Sequence, residues 1–269
     1  MIVMGDIVVL VKPALNPDMV RAKPDGTVDL DAIPLKLDDI DANALFEAQK
    51  LKKTLGGKIA ALLILTWGPV ARRQKDLRMV AQEALARGAD EAHIVADDEI
   101  IPGDPVTTAS AVVATIKKAG LNPDLILVAE ASIDQTTGQV AGRVAAKLGY
   151  PYISFARKLE VSDGKVIAER DLEEHIEVVE APLPAVVSVT QEINEPRPPT
   201  LIQIRRAGKK PQNYYKVSDL GEVKKPVKEI LEQKILTVAR KQIIIEGDTL
   251  EEIAEKLIEA LEKEGVLKI

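Results

Sequence analysis

The sequence predicts an α/β protein: a mostly parallel sheet with helices on both faces, an antiparallel hairpin extension, and an extended C-terminal tail ending in a helix. Three observations carry this expectation. Apolar runs at 7–11, 59–65 and 125–128 lack alternation, as strands buried on both faces do, and 92–95 reads as a short strand. Each is followed by apolar residues at helical spacing, the crossover that parallel neighbours require. Between 154 and 179 the pattern changes to short alternating segments around Asp163-Gly164, which reads as an antiparallel hairpin.

The elements follow in order. After the first strand comes a turn-rich stretch with Pro13, Pro17, Pro24 and Asp25-Gly26, then a helix whose face is Ala44, Leu45, Ala48, Leu51 and Leu55, ended by Gly56-Gly57. The second strand stops at Trp67-Gly68-Pro69, and Leu77, Val80, Ala81, Ala84 and Leu85 form the next helical face before Gly88. Asp104 stands as a cap directly before Pro105, ahead of Ala109, Val112, Val113 and Ile116, with Gly120 as the stop. A helix is expected over 137–148, ending at Gly149, and a further core strand over 185–189. The stretch 194–211 carries Pro196, Pro198 and Pro199 with Arg197, Arg205, Arg206, Lys209 and Lys210, and is expected to be an extended exposed loop. From 223 to 241 apolar and basic residues alternate without an evident partner strand. The last helix has Asp248 as cap, Glu251 three residues on, and a face of Leu250, Ile253, Ala254, Leu257, Ile258 and Leu261, stopping near Gly265. An α/β domain over 1–215 and a tail over 216–269 are the expected divisions.

Composition narrows the function classes. In 269 residues, 36 Lys+Arg against 42 Asp+Glu give a net charge of −6, and aromatics make up 3%, so neither phosphate-backbone attraction nor base stacking is favoured. With no Cys, thiolate catalysis, disulfides and iron–sulfur ligation by this chain are excluded. His93 and His175 lie far apart, which leaves no local His-based metal motif and little material for a Ser-His-Asp triad. No apolar run has the length of a membrane span, and Asp6 interrupts the N-terminal apolar stretch too early for a signal peptide, so a cytoplasmic protein without membrane insertion is expected. The Lys/Glu-rich, Cys-free composition resembles that of thermophile proteins. Neither a G-x-x-x-x-G-K-[ST] nor a G-x-G-x-x-G motif is present.

The strongest local constellation is Ala131-Ser132-Ile133-Asp134-Gln135-Thr136-Thr137-Gly138-Gln139-Val140, at the carboxyl end of a predicted parallel strand and opening a helix. Ligands of open α/β sheets bind there, and a helix N-terminus offers N–H groups to phosphate. Thr136 and Gln139 equally fit a capping box, a purely structural role. Lys12, ending strand one, is placed either to reach a phosphate or to lie exposed. Trp67 either stacks on a flat ligand or covers the core. The acidic runs Asp38, Asp39, Asp41 and Asp97, Asp98, Glu99 read as solvated faces or helix-start charges.

Several separated motifs together resemble the beta subunit of electron transfer flavoproteins. They are Val11-Lys12, Ala44-Leu45-Phe46-Glu47-Ala48, Trp67-Gly68-Pro69, the run from Ala84 through Asp90, the Asp134 to Val140 run, Pro184-Ala185-Val186-Val187-Ser188-Val189 and Asn194-Glu195-Pro196-Arg197. The resemblance implies an adenine-nucleotide alpha-hydrolase-like fold and a heterodimer with an FAD-carrying alpha subunit. It also implies a nucleotide site here for FAD, with AMP as the alternative, held by Asp134, Gln135, Thr136, Thr137, Gly138, Gln139 and Val140 and lined by Leu10 and Trp67. The segment around Leu201 and Ile202, framed by Pro198 and Pro199, corresponds to the family's anchor for dehydrogenase or quinone oxidoreductase partners, and the tail to a wrap around the alpha subunit. Asp134 to Val140 is similar to the pattern of the electron-bifurcating group, in which NAD(H) is the donor and FAD takes the place of AMP. Leu37-Asp38-Asp39 departs from the family's Met-Asn-Pro and leaves the loop's contact to nucleotide open. A non-redox adenine-nucleotide-binding α/β module of stress-protein type is the alternative reading.

Overall fold

The computed structural model describes residues 5–23, 25–232 and 241–267. Strand β1 (Gly5–Val11) leads through a small antiparallel pair, β2 (Pro13–Leu15) and β3 (Leu35–Leu37), into α1 (Asp39–Leu55). Then follow β4 (Gly56–Ile64), α2 (Val70–Ala86), β5 (Glu91–Val95), α3 (Pro105–Lys118), β6 (Pro123–Ala129) and α4 (Val140–Leu148). The chain continues with β7 (Tyr152–Ser162), β8 (Lys165–Asp171), β9 (Ile176–Pro182), β10 (Ala185–Val189), α5 (Leu201–Ala207), β11 (Gln212–Tyr215) and α6 (Leu250–Lys263).

One nine-stranded sheet has the order β11-β5-β4-β1-β6-β10-β7-β8-β9. It is parallel from β11 to β7 and antiparallel through β8 and β9. The non-alternating apolar runs are explained by two cores. Ile7, Val9 and Val11 of β1 face Leu45 and Ala48 of α1 and Leu77 and Leu85 of α2, whereas Val8 and Leu10 face Val112 and Ile116 of α3 and Val144 of α4. The chain runs outward one way from β1 through β4 and β5 and the other way through β6 and β10. The boundary between β1 and β6 is therefore the topological switch point, where a crevice opens at the strands' carboxyl ends.

Local chemistry sets the ends of these elements. Asp104 caps α3 by accepting from the Val106 and Thr107 amides at 2.9 and 3.0 Å, with Pro105 in the first turn, as the sequence indicates. Gly56 ends α1 in the left-handed conformation, and a Cβ on the neighbouring Gly57 would collide with the Gly5 carbonyl.

Three expectations need correction. Helix α4 begins at Val140 instead of 137, and the Thr136–Gln139 capping box does not form. Thr136 and Gly138 have φ of 49° and 62°, incompatible with a right-handed helix. Thr136 accordingly donates through its amide and hydroxyl to the Ser132 carbonyl, and Gln139 Oε1 accepts from Arg143. The stretch 194–211 is not wholly extended: its prolines precede a real cap, in which Thr200 and Gln203 form a capping box that starts α5. Helix α6 is capped by Thr249, one residue after Asp248, whose amide instead donates to Glu252 Oε2 at 3.0 Å. Pro24 and the middle of the 223–241 alternation lie outside the described residues.

The arm carrying α5 is fastened to α1. Asn43 Nδ2 donates to the Gln191 and Asn194 carbonyls (3.0 and 2.6 Å), while Asn194 Nδ2 donates to the Asn43 carbonyl (3.1 Å) and Glu47 Oε2 (2.9 Å). Asn43 and Glu47 are buried and Asn194 half-buried, so these bonds are partly shielded from water. Replacing Asn43 by Ala should cost about 2 kcal/mol, read as a lower urea midpoint, with faster amide exchange concentrated in 191–200.

Candidate functional site

The crevice at the switch point is a cleft of about 710 Å³ including its open mouth. Its apolar wall comes from Leu10, Leu62, Ile64 and Val128 near the carboxyl edge of the sheet and from Val112 of α3, all core residues. Its polar rim comes from the segment after β6, Glu130 through Val140, and from the start of α3, Gly103 through Thr108. An apolar wall facing a few convergent polar groups is the usual composition of a small-molecule site.

Of the residues singled out in the sequence, Leu10, Gln135, Thr137, Gly138, Gln139 and Val140 line this cleft together. Asp134, Thr136 and Trp67 do not. The Asp134 carboxylate turns inward, taking a hydrogen bond from Lys12 Nζ at 2.5 Å through one oxygen and from Trp67 Nε1 (2.7 Å) and the Leu15 amide (3.1 Å) through the other. Trp67 therefore covers the core and holds Asp134; it does not stack over the cleft.

Lys12 is the hub of this arrangement. Its ammonium also donates to Ser132 Oγ (2.9 Å) and Gln135 Oε1 (3.2 Å), and Gln135 Oε1 accepts from the Gly103 amide at 2.6 Å. The loop after β6 is thus tied to the end of β1 on one side and to the start of α3 on the other.

Beneath Lys12 lie two carboxyls read in the sequence as part of a solvated face or as helix-start charges; the first of these readings is wrong. Asp38 is 0% exposed and Asp41 4% exposed. Asp38 caps α1 at Ile40 and accepts from the Ile133 amide at 2.8 Å; Asp41, on the cleft floor, accepts from the Lys12 amide at 2.6 Å. Burial, reinforced by the Asp134 charge, pushes the Asp38 carboxyl up to about 6. Burial and the neighbouring Asp38 raise Asp41 well above the usual range. Asp134 goes the other way: burial would raise it, but the Lys12 charge and the hydrogen bonds from Lys12, Trp67 and Ser132 hold it low.

Two further features complete the cleft, the first of them without a signal in the sequence. Thr66, just past β4, is buried and lines the cleft with a hydroxyl that has no hydrogen-bond partner. The N-terminus of α4 has no side-chain cap, unlike α1 and α3, and its Gln139 and Val140 face the cleft. A ligand with hydroxyls and an anionic group supplies what both lack.

Comparison with known proteins now decides the family. Residues 25–220 match the model of the electron transfer flavoprotein domain. The chain belongs to the electron transfer flavoprotein family. An electron transfer flavoprotein subunit beta from Thermoanaerobacterium thermosaccharolyticum is 31% identical over 221 residues, covering 82% of this chain and 81% of that one. That likeness places the chain among the family's beta subunits. In this beta subunit α5 packs on α2, and at its start Leu201 is 84% and Ile202 66% exposed. Pro198 is exposed and Pro199 half-buried before them. No helix among the described residues is long and apolar enough to cross a membrane.

The charge arrangement has a pH signature. Because the folded state raises the Asp38 carboxyl to about 6 from 3.8, it binds the proton more tightly than the unfolded chain does. The resulting stabilisation is complete below pH 4 and is lost as pH rises through 4 to 6. Urea titrations should show unfolding free energy falling across that window, and Asp38→Asn should flatten the fall. Lys12→Met, which strands the buried Asp134 carboxylate, should cost about 3 kcal/mol at pH 7.

Proposed function

We propose that this beta subunit holds FAD in the switch-point cleft, with AMP as the alternative occupant, and works in a heterodimer with an electron transfer flavoprotein alpha subunit. The observation that carries the reading is the pairing, in one cleft, of an uncapped helix start at Gln139-Val140 with the buried, unpartnered Thr66 hydroxyl. The amides at Thr137, Gly138, Gln139 and Val140 would take the phosphates, and the Leu10, Leu62 and Ile64 wall would take the adenine. Asp134 and Thr136 serve the site from behind, in the turn that presents those amides, while Gln135 lines the cleft itself. Gly138 suits this place because its φ of 62° is strained for any residue with a side chain.

A bound flavin would supply the one- and two-electron chemistry; the chain supplies binding, orientation and electrostatics. The preference for FAD rests on the Asp134 to Val140 pattern, and with it comes NAD(H) as donor and a bifurcating role. The exposed Leu201 and Ile202, stiffened by Pro198 and Pro199, suit an anchor for a dehydrogenase or quinone oxidoreductase, since proline limits the entropy lost on docking. The amphipathic α6 buries none of its residues in this chain, which suits a tail that packs on the alpha subunit.

The test is to co-express the chain with its alpha partner and to quantify FAD and AMP released from the purified heterodimer. Two FAD support the bifurcating reading, one FAD with one AMP the shuttle reading, and no nucleotide and no complex refute both. Gly138→Val should lower the nucleotide retained per heterodimer about tenfold, a loss of one well-made charged contact. Leu201→Ala should slow electron delivery to the acceptor dehydrogenase through a raised KM, with the bound nucleotide unchanged.

A further inference from the structure

At the switch point β1 and β6 pair in register as far as Val9 and Leu127. Beyond it the Lys12 amide is taken by Asp41 Oδ2 at 2.6 Å, and the Ala129 amide also bonds to the Asp41 carboxyl. One turn earlier on the same helix, the Asp38 amide donates to the Lys12 carbonyl at 3.2 Å while its side chain holds the Ile133 amide. The first turn of α1 is therefore wedged between the exits of the two strands that form the cleft floor. Backbone amides left without a ladder partner in a buried place cost free energy comparable to a lost hydrogen bond, which is the strain this wedge removes.

We infer that Asp41, supported by Asp38, is a positioning residue of the nucleotide cleft, whose carboxyl replaces the missing ladder partner at the exits of β1 and β6 and so sets where the phosphate-facing loop stands. This inference rests on the nucleotide reading given above. Asp41 needs no contact with the ligand; it acts through Lys12 and Ala129, the first of which carries Ser132, Asp134 and Gln135 on its ammonium.

The charges around the pair predict how it works. Lys12 faces it from the end of β1, Asp134 from the loop after β6, and on α1 the two carboxyls face each other. Asp39 is turned away to Lys36 at 2.9 Å, and Glu130 stands on the cleft rim. Three carboxyls around one ammonium repel a phosphate when all are ionised, so an anionic ligand binds best while the pair retains a proton. Linkage then requires nucleotide affinity to fall as pH rises, by roughly tenfold for each unit over which one linked proton is lost.

The experiment uses the full chain stripped of nucleotide and titrated with FAD and with AMP from pH 5.5 to 8. Wild type, Asp41→Ala and Asp41→Asn are compared, so that the ligand's own ionisation cancels. The expected result is about tenfold weaker binding for Asp41→Ala, recovery at pH 6 by Asp41→Asn, which keeps an acceptor oxygen, and a flatter pH profile in Asp41→Asn than in wild type. Wild-type affinity in Asp41→Ala, or the wild-type pH profile in Asp41→Asn, overturns the inference alone. Should Asp41→Ala fail to fold, the Asp41→Asn profile decides. A wild-type chain that binds neither nucleotide overturns this inference together with the nucleotide reading.

Discussion

The contact on which the site depends is the one between the Lys12 ammonium and the loop after β6. Parallel strands at a switch point diverge, and nothing in the sheet itself joins their exits. Lys12 joins them, with its side chain on Ser132, Asp134 and Gln135 and its main chain held by Asp38 and Asp41. Its ammonium lies opposite a carboxylate whose side chain is 3% exposed, so the pair is formed largely out of water and is correspondingly sensitive to loss of either member. The turn that carries Thr137 and Gly138 to the cleft is downstream of that bond, as is the Trp67 contact that closes the back of the site.

Much of the fold was legible because burial on both faces leaves a plain mark. Runs such as 7–11 and 125–128 contain no polar residue, and the structure shows why, since alternate side chains enter different cores. Caps were legible where they obey local rules, as at Asp104 with Pro105. The same rules misled at Thr136 and Gln139, where the spacing of a capping box is present but positive φ angles at Thr136 and Gly138 serve a tight turn. Prolines at 196, 198 and 199 argued for an extended loop and hid the short helix that begins immediately after them.

The site was legible only in its local part. The run from Gln135 to Val140 could be picked out because it is contiguous and follows a strand. Its supports could not: Lys12 meets Asp134 across 122 residues of chain, and Ile133 meets Asp38 across 95. Asp38 and Asp41 look like ordinary acidic residues opening a helix, and only their complete enclosure distinguishes them from the exposed Asp39. Thr66 carried no signal at all, since an orphaned hydroxyl is a property of its surroundings.

Helix α1 touches both functional regions. Asp38 and Asp41 at its start brace the cleft, and Asn43 and Glu47, within the next two turns, hold the arm that carries Leu201. Nine residues of helix separate Asp38 from Glu47, a span of about 13 Å along a rod that does not stretch. The arm is thus set at constant reach from the cleft. Helix α1 is therefore a ruler between the two regions: a displacement of the arm relative to the cleft cannot be absorbed along its axis and has to come from the side-chain bonds at its two ends.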